Sequence, residues 1–337
     1  MTFLRSVLSD RLTIALFLSL ALFKVTLPRA PDRAYYYSAG LRTLQSAIYT
    51  AIGVKLLLAL NKWITHRSIN NFIDDTTWDW PKELAVITGG SSGIGAETVR
   101  GLSKHNVKTI ILDINPPTSK QLNGVTFYQV NLTSTSAIIE AAAKIIKEHG
   151  HPSILINNAG TGTAQTILSE SEPERRRVFE VNSLCHFTLV REFLPAMIER
   201  NHGHIVTVAS TGSFYSQAQN VSYACSKASA MAFHEGLGQE IRARFNAPKI
   251  RTSIIYPDFV RTPLVEALTS KVSEFPLNVL EPAEVAEEIV DIVLSTYSHS
   301  LVLPRDMTYL SLLRGLPLWL LRIVQTLDPD PLALANR

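Results

Sequence analysis

Residues 84–95 read Leu-Ala-Val-Ile-Thr-Gly-Gly-Ser-Ser-Gly-Ile-Gly. A short buried-strand pattern runs into a glycine-rich turn, and residues 96–104 then read as a helix. That order makes a cradle for a pyrophosphate, because free backbone amides and the helix dipole both favour negative charge there. Gly89 takes the tight turn, Gly93 lets the backbone approach the phosphate, and Gly95 allows close helix–strand packing. The spacing is Gly-x-x-x-Gly-x-Gly, not the Gly-x-Gly-x-x-Gly of the common dinucleotide fingerprint. Taken alone, the segment also fits a plain strand–helix loop.

Working outward, the next strand pattern covers residues 108–112 and ends in Asp113, which lies 18 positions beyond Gly95 (113 − 95). A carboxylate there accepts hydrogen bonds from the adenosine ribose hydroxyls and repels a 2′-phosphate. No basic residue follows in Ile114, Asn115 and Pro116, and Ser92 is not basic, so the pattern favours NAD over NADP without excluding NADP. The competing reading is a solvated turn before Pro116. Further strand patterns lie at 125–130, 153–156, 204–208, 250–255 and 300–303. Helical patterns fall at 93–104, 134–149, 173–200, 222–244 and 282–296. This alternation predicts an α/β fold, a Rossmann-like doubly wound parallel sheet of about seven strands. The stretch 258–280 interrupts it and is long enough to cover a substrate.

Downstream, Ser210 precedes Tyr223 by 13 residues, and Lys227 follows Tyr223 by four. Tyrosine and lysine at i and i+4 share one helix face. A free phenol has a pKa of about 10, and a neighbouring cation lowers it toward the range where it can exchange protons. Such a pair alone is weak, since any amphipathic helix can carry it.

Together these motifs resemble a short-chain dehydrogenase/reductase. The resemblance rests on Thr88-Gly-Gly-Ser-Ser-Gly-Ile-Gly95, Asn157-Asn-Ala-Gly160, Ser210, Tyr223-x-x-x-Lys227 and Pro257, over residues 82–303. It implies that Tyr223 is the general acid/base and that Lys227 lowers its pKa and binds the nicotinamide ribose. Ser210 orients the carbonyl or alcohol, and Asn182 holds a water in the proton relay. The cofactor would be held by Thr88, Gly89, Ser91, Ser92, Gly93, Ile94, Gly95, Asp113, Asn131, Leu132, Asn158, Ala159, Gly160, Pro257, Val260 and Thr262, with Tyr223 and Lys227. Two departures stand out. Asn131 replaces the usual Asp that meets the adenine amino group, an amide oxygen still able to accept that bond. Pro257 is followed by Asp258 where the family favours glycine.

Other chemistries find little support. Cys185 and Cys225 have no Cys-x-x-Cys partner and read as small reduced core residues, and the nine histidines form no ligand cluster, so no metal is expected. Glu170, Glu172, Glu174 and Arg175 to Arg177 read as the solvated start of a helix. A net charge of +3 with no basic stripe argues against nucleic acid.

The ends differ in kind. Residues 12–23 and 43–54 are uncharged apolar runs, and 56–60 continues the second after Lys55. Each falls short of the roughly 20 residues that span a bilayer, so spanning, interfacial and re-entrant readings compete, with packing on the catalytic domain as the soluble alternative. No small-x-small cleavage site follows the first run, which favours a retained anchor. The leucine- and tryptophan-rich stretch 309–327 fits a packing or dimer element as well as a membrane-dipping helix. The expected organisation is a membrane-associated region over 1–80, a catalytic domain over 81–305 and an apolar tail over 306–337. Two sequons, Asn131-Leu-Thr and Asn220-Val-Ser, fall beside the cofactor and catalytic segments, so a cytosol-facing domain is expected. The features together resemble the membrane-anchored retinol and 17β-hydroxysteroid dehydrogenase branch. That implies a homodimer at the endoplasmic reticulum or a lipid droplet, acting on a retinoid, steroid or fatty alcohol. A keto-lipid reductase, a non-catalytic membrane scaffold and a soluble non-lipid substrate are the alternatives.

Overall fold

The computed structural model describes residues 34–117, 122–269 and 279–327. The chain divides into two units, residues 1–72 and 73–337. In the first, helix α1 spans Ala34–Ile69. Lys55 does not interrupt it, since lysine is a good helix former. The run at 43–54 and its continuation at 56–60 are therefore one helix. Its Thr43–Ile69 stretch, 27 residues with a mean hydropathy of 1.5 in its most apolar window, is long and apolar enough to cross a membrane. The run at 12–23 lies outside the described residues.

In the second unit seven parallel strands run β1 Leu84–Thr88, β2 Lys108–Asp113, β3 Val125–Gln129, β4 Ile154–Asn157, β5 His204–Val208, β6 Arg251–Pro257 and β7 Ser300–Leu303. They pair in the order β3-β2-β1-β4-β5-β6-β7. Helices α2 Gly93–Lys104, α3 Thr135–His149, α4 Glu172–Phe179, α5 Cys185–Arg200, α6 Val221–Ala243, α7 Pro263–Thr269, α8 Pro282–Ser295 and α9 Leu318–Leu327 fill the connections and the tail. Alternation along β1 explains the two layers, because successive side chains point to opposite faces. Leu84 and Val86 join Ile138 of α3, Phe193 of α5 and Leu237 of α6. Ala85 and Ile87 join Leu102 of α2 and Ile289 of α8 on the other face. Both faces are covered, which is why β1 reads as an unbroken apolar run.

At the strands' N-terminal edge, Glu83 receives the Ser153 hydroxyl and lies 3.2 Å from His202 Nε2. Burial works to raise the Glu83 carboxyl, but the bonds from His202 and Ser153 outweigh it and hold it below its ordinary 4.5. A depressed carboxyl stabilises the fold above its unfolded pKa and loses that contribution as pH falls through the folded value. Glu83→Gln should therefore cost about 1–3 kcal/mol near neutrality. The gap in melting temperature from wild type should shrink on acidification below pH 4.5; a pH-independent gap would contradict the assignment.

The strand order reverses between β1 and β4, and the motif-bearing loops gather at the strands' C-terminal ends around that switch point.

Candidate active site

The glycine turn is built by three tethers. Thr88 Oγ1 accepts from the backbone amides of Asn158 and Ala159, both at 3.0 Å, joining the ends of β1 and β4. Asn158 Nδ2 donates to the carbonyls of Thr88 at 2.9 Å and Gly89 at 3.2 Å. Ser91 donates its amide to Asp113 Oδ2 at 3.1 Å and its hydroxyl to the Asn115 carbonyl at 2.7 Å. Gly89 has φ +66, a left-handed conformation that favours glycine. At Gly95 a Cβ would stand 2.1 Å from the Gly89 carbonyl oxygen and 2.6 Å from Asn158 Nδ2, so helix α2 sits against the turn itself.

A cavity of about 560 Å³ opens beside this turn. Gly89, Ser92, Gly93, Ile94 and Asp113 line one side of it, and Asn131, Leu132, Asn158, Ala159 and Gly160 line the middle. Pro257, Val260 and Thr262 line it as well, with Tyr223 and Lys227, and Thr262 packs against Gly93. Thr88, Ser91 and Gly95 stand behind this wall and shape it. Asp113 holds the amides of Ser91 and Asn115, and Asn131 Oδ1 accepts from Thr133 N at 3.1 Å and Oγ1 at 2.9 Å. The Asn131 oxygen foreseen for an adenine amino group thus serves a local turn. The volume, the bare glycine backbone and the carboxylate at one end fit a nicotinamide dinucleotide.

A smaller cavity of about 180 Å³ adjoins it. Ser210, Tyr223 and Asp258 line it with Phe259, Leu264 and Val265. Tyr223, Asp258, Leu264 and Val265 belong to both cavities. The tail 309–327, read equally as a packing or a membrane element, supplies Tyr309, Leu310, Leu313 and Val324 to this wall. Arg314 ties the tail down, donating to the carbonyls of Ser213 at 2.9 Å and Phe214 at 3.2 Å. The outer side of the tail leaves Leu318 83% and Trp319 66% exposed.

Electrostatics at the site run differently from the sequence expectation. Burial raises the Tyr223 phenol, the hydrogen bond with Ser210 lowers it, and the charge of Asp258 raises it again, leaving it above 10. Lys227 Nζ donates to the Val208 carbonyl at 2.8 Å and lies 5.8 Å from the Tyr223 ring centre. Burial draws the lysine down to about 8. The cation is directed at the strand end, so desolvation governs the phenol.

Asn182 is completely buried in a single π turn, Glu180–Leu184, between α4 and α5. The helix read as continuous over 173–200 is thus widened at the candidate site, a common place for such turns. Its Oδ1 accepts from Thr161 N at 2.8 Å, and its Nδ2 donates to Thr161 O at 2.8 Å and Ser226 Oγ at 2.9 Å. Both amide hydrogens are engaged, and the side chain clasps the backbone after Gly160.

Two charged-residue readings change. Glu170 is buried, not solvated, and its Oε1 accepts from Thr163 and Ser222 hydroxyls, each at 2.6 Å, strapping the 161–171 loop to the start of α6. Arg177 lines the larger cavity. The cysteines also part company: Cys185 is buried, its thiol pushed by burial up to about 12, whereas Cys225 is exposed because the turn of α6 carries it off the Tyr223 face to the surface. The π turn, the Glu170 strap and the tail's part in the wall escaped sequence reasoning. The tail carried a signal in Leu310 and Leu313, three apart as the turns of its Arg305–Gly315 3₁₀ segment require.

A profile described as short chain dehydrogenase matches residues 83–273. The chain is a member of the short-chain dehydrogenase family. Dehydrogenase RED2 of Cochliobolus heterostrophus is 52% identical over 202 residues, covering 59% of this chain and 76% of its own. Estradiol 17-beta-dehydrogenase 11 of Pongo abelii is 33% identical over 239 residues, 68% of this chain and 78% of its own. Human 17-beta-hydroxysteroid dehydrogenase 13 is 36% identical over 221 residues, 63% and 72% of the two chains. Among solved structures, 4-hydroxyisoleucine dehydrogenase complexed with NADH is similar with a TM-score of 0.56 and 25% identity, covering 65% of this chain and 96% of that one. This short-chain dehydrogenase is therefore an NAD(P)-dependent oxidoreductase that interconverts an alcohol and its carbonyl, in the 17β-hydroxysteroid dehydrogenase-like branch.

Proposed function

We propose that the enzyme acts on a lipophilic alcohol or ketone, a retinoid, steroid or fatty derivative, with Tyr223 as general acid/base. The observation that carries this reading is the small cavity at Ser210 and Tyr223, walled by Phe259, Leu264, Val265, Leu310 and Leu313 and open to the larger one. Bound nicotinamide supplies or accepts the hydride at the reacting carbon. Tyr223 gives its proton to the carbonyl oxygen in reduction and takes it from the hydroxyl in oxidation. Ser210 polarises the same oxygen. Lys227 binds the nicotinamide ribose, and Asn182 holds Thr161 and the 160–161 backbone in place for the relay. The raised phenol favours the acid role, which supports the keto-lipid reductase as the second reading. Intact Ser210, Tyr223 and Lys227 speak against a non-catalytic scaffold.

NAD is the preferred cofactor in this proposal, read by Asp113 at the cavity's edge. Asp113→Ala should raise the NADP-to-NAD ratio of kcat/KM by about tenfold or more, since one good polar contact is worth 1–3 kcal/mol. An unchanged ratio would show that Asp113 does not read the ribose.

The protein works at a membrane surface in this reading, anchored by residues of about 12–60, with 81–305 as the catalytic domain and 306–337 as an apolar tail that meets lipid. Support comes from the apolar Thr43–Ile69 helix and from Leu318 and Trp319 on the tail. A cytosolic face, at the endoplasmic reticulum or a lipid droplet, suits the two sequons: Asn131 lines the cofactor cavity and Asn220 the substrate cavity, where glycans would obstruct both. The exposed Leu184 and Phe187, 47% and 53% accessible, support a homodimer. The deciding experiment is detergent-solubilised protein with NAD and NADP against retinoid, steroid and fatty-alcohol panels, beside carbonate extraction of membranes. Turnover confined to small water-soluble alcohols would overturn the substrate class.

A further inference from the structure

The stretch that runs from Ser210 to Tyr223 gives the small cavity most of its polar lining. Besides Gly212, it contributes Ser210, Thr211, Tyr215, Gln217, Asn220 and Tyr223, every one with a neutral hydroxyl or amide. By contrast, residues 259–265 and 307–324 bring apolar side chains to the wall, the Tyr309 phenol excepted. The other polar groups of 210–217 are already engaged. Ser210 Oγ accepts from Gly212 N at 3.1 Å and bonds Tyr223, and the Thr211 hydroxyl donates to Asp258 Oδ1 at 2.7 Å. Tyr215 and Gln217 have partners of their own. Asn220 differs. It is half-buried at the start of α6, and its carbonyl accepts from Ala224 N at 2.8 Å. Its side chain does not cap the helix, the usual task of asparagine at that place, and makes no hydrogen bond with any described residue.

We infer that Asn220 is a specificity-determining residue that binds a second, uncharged oxygen of the substrate, a hydroxyl or carbonyl set a few bonds from the reacting one. The inference rests on the proposed reaction at Tyr223 and narrows its substrate class. Asn220 stands three residues before Tyr223, about one helical turn away, and both line the same cavity. A carboxamide both donates and accepts, so it serves either kind of oxygen. A substrate without that oxygen strips water from the amide and returns no bond, which is how a polar site rejects an apolar analogue. The apolar side chains of 259–265 and 307–324 then hold the hydrocarbon part. The substrate so described is a lipophilic molecule with two neutral oxygens close together.

The test is a series of straight-chain ketones of equal length, one plain and the others with a single hydroxyl at successive carbons beyond the carbonyl. Full-length protein in detergent should prefer the best hydroxyketone over the plain ketone by about tenfold in kcat/KM, as one hydrogen bond allows. Asn220→Ala should bring that ratio toward unity. Asn220→Leu, close in volume and without polarity, should do the same and decides the matter if the alanine variant does not fold. Because the readout is a ratio within each variant, a uniform loss of activity does not imitate it. A wild-type series in which no hydroxyl helps overturns the inference, as does a preference that the folded variants retain. If wild type turns over none of the ketones, the proposed reaction fails separately. Melting-temperature shifts with the same compounds then read the contact directly. Hydroxyl-selective binding lost in the variants upholds the role of Asn220, and binding that is unselective in wild type or equally selective in the variants refutes it.

Discussion

Tyr223→Phe should lower kcat by at least about a hundredfold and up to ten-thousandfold, the range that a positioned acid/base contributes. The substitution removes only the hydroxyl. The ring stays against Gly162 and Gly212, so the cavity should keep its shape. Dinucleotide affinity, read by quenching of protein fluorescence, should change less than threefold, because Tyr223 is one residue in a larger cavity lined also by the glycine turn, the loops after β2, β3 and β4, and the segment 257–265. Loss of turnover with binding intact separates proton transfer from assembly of the site. Near-wild-type turnover would end the proposed mechanism, whatever the substrate proves to be.

The second large effect is expected at Gly95. A Cβ there would lie 2.1 Å from a backbone oxygen and 2.6 Å from the Asn158 amide nitrogen, which itself holds the Thr88 and Gly89 carbonyls. Backbone cannot yield as a flexible side-chain end can, so α2 and the turn must separate. Gly95→Ala should weaken dinucleotide binding by about a hundredfold and cost about 1–3 kcal/mol of stability, as overpacking does. Gly236→Ala in α6 is the control. No heavy atom lies within 4 Å of a Cβ there, and alanine in a helix should add about 0.5–1 kcal/mol. Equal melting temperatures for the two variants would show that the close approach of α2 is unimportant.

The strands were legible because each is a short apolar run closed by a turn signal and buried on both faces. All seven strands start within one residue of the positions read from the chain. The site motifs were legible for a related reason: a glycine turn, and a serine, tyrosine and lysine at strand and helix ends, announce themselves by spacing. What stayed hidden depends on tertiary context. Asn182 looks like an ordinary helix position until the π turn rolls it under Thr161. Glu170 sits in a charged stretch that composition assigns to solvent, yet one hydroxyl from its own loop and one from the start of α6 draw it inside. Tyr223 illustrates the same limit in electrostatics. Spacing brings a cation near, but the direction in which Lys227 points, and the burial of the phenol, are properties of the fold.

The tail that lids the small cavity lies beyond residue 273, where the family profile ends. Part of the small cavity's wall, Met307, Tyr309, Leu310, Leu313 and Val324, therefore lies in a stretch separate from Ser210, Tyr223 and Lys227. The tail's share of the wall can drift in sequence while the proposed proton-handling residues stay fixed, so new preferences can arise without rebuilding them. Exchanging residues 305–327 between this enzyme and a relative is accordingly the shortest edit by which selectivity is expected to be transplanted.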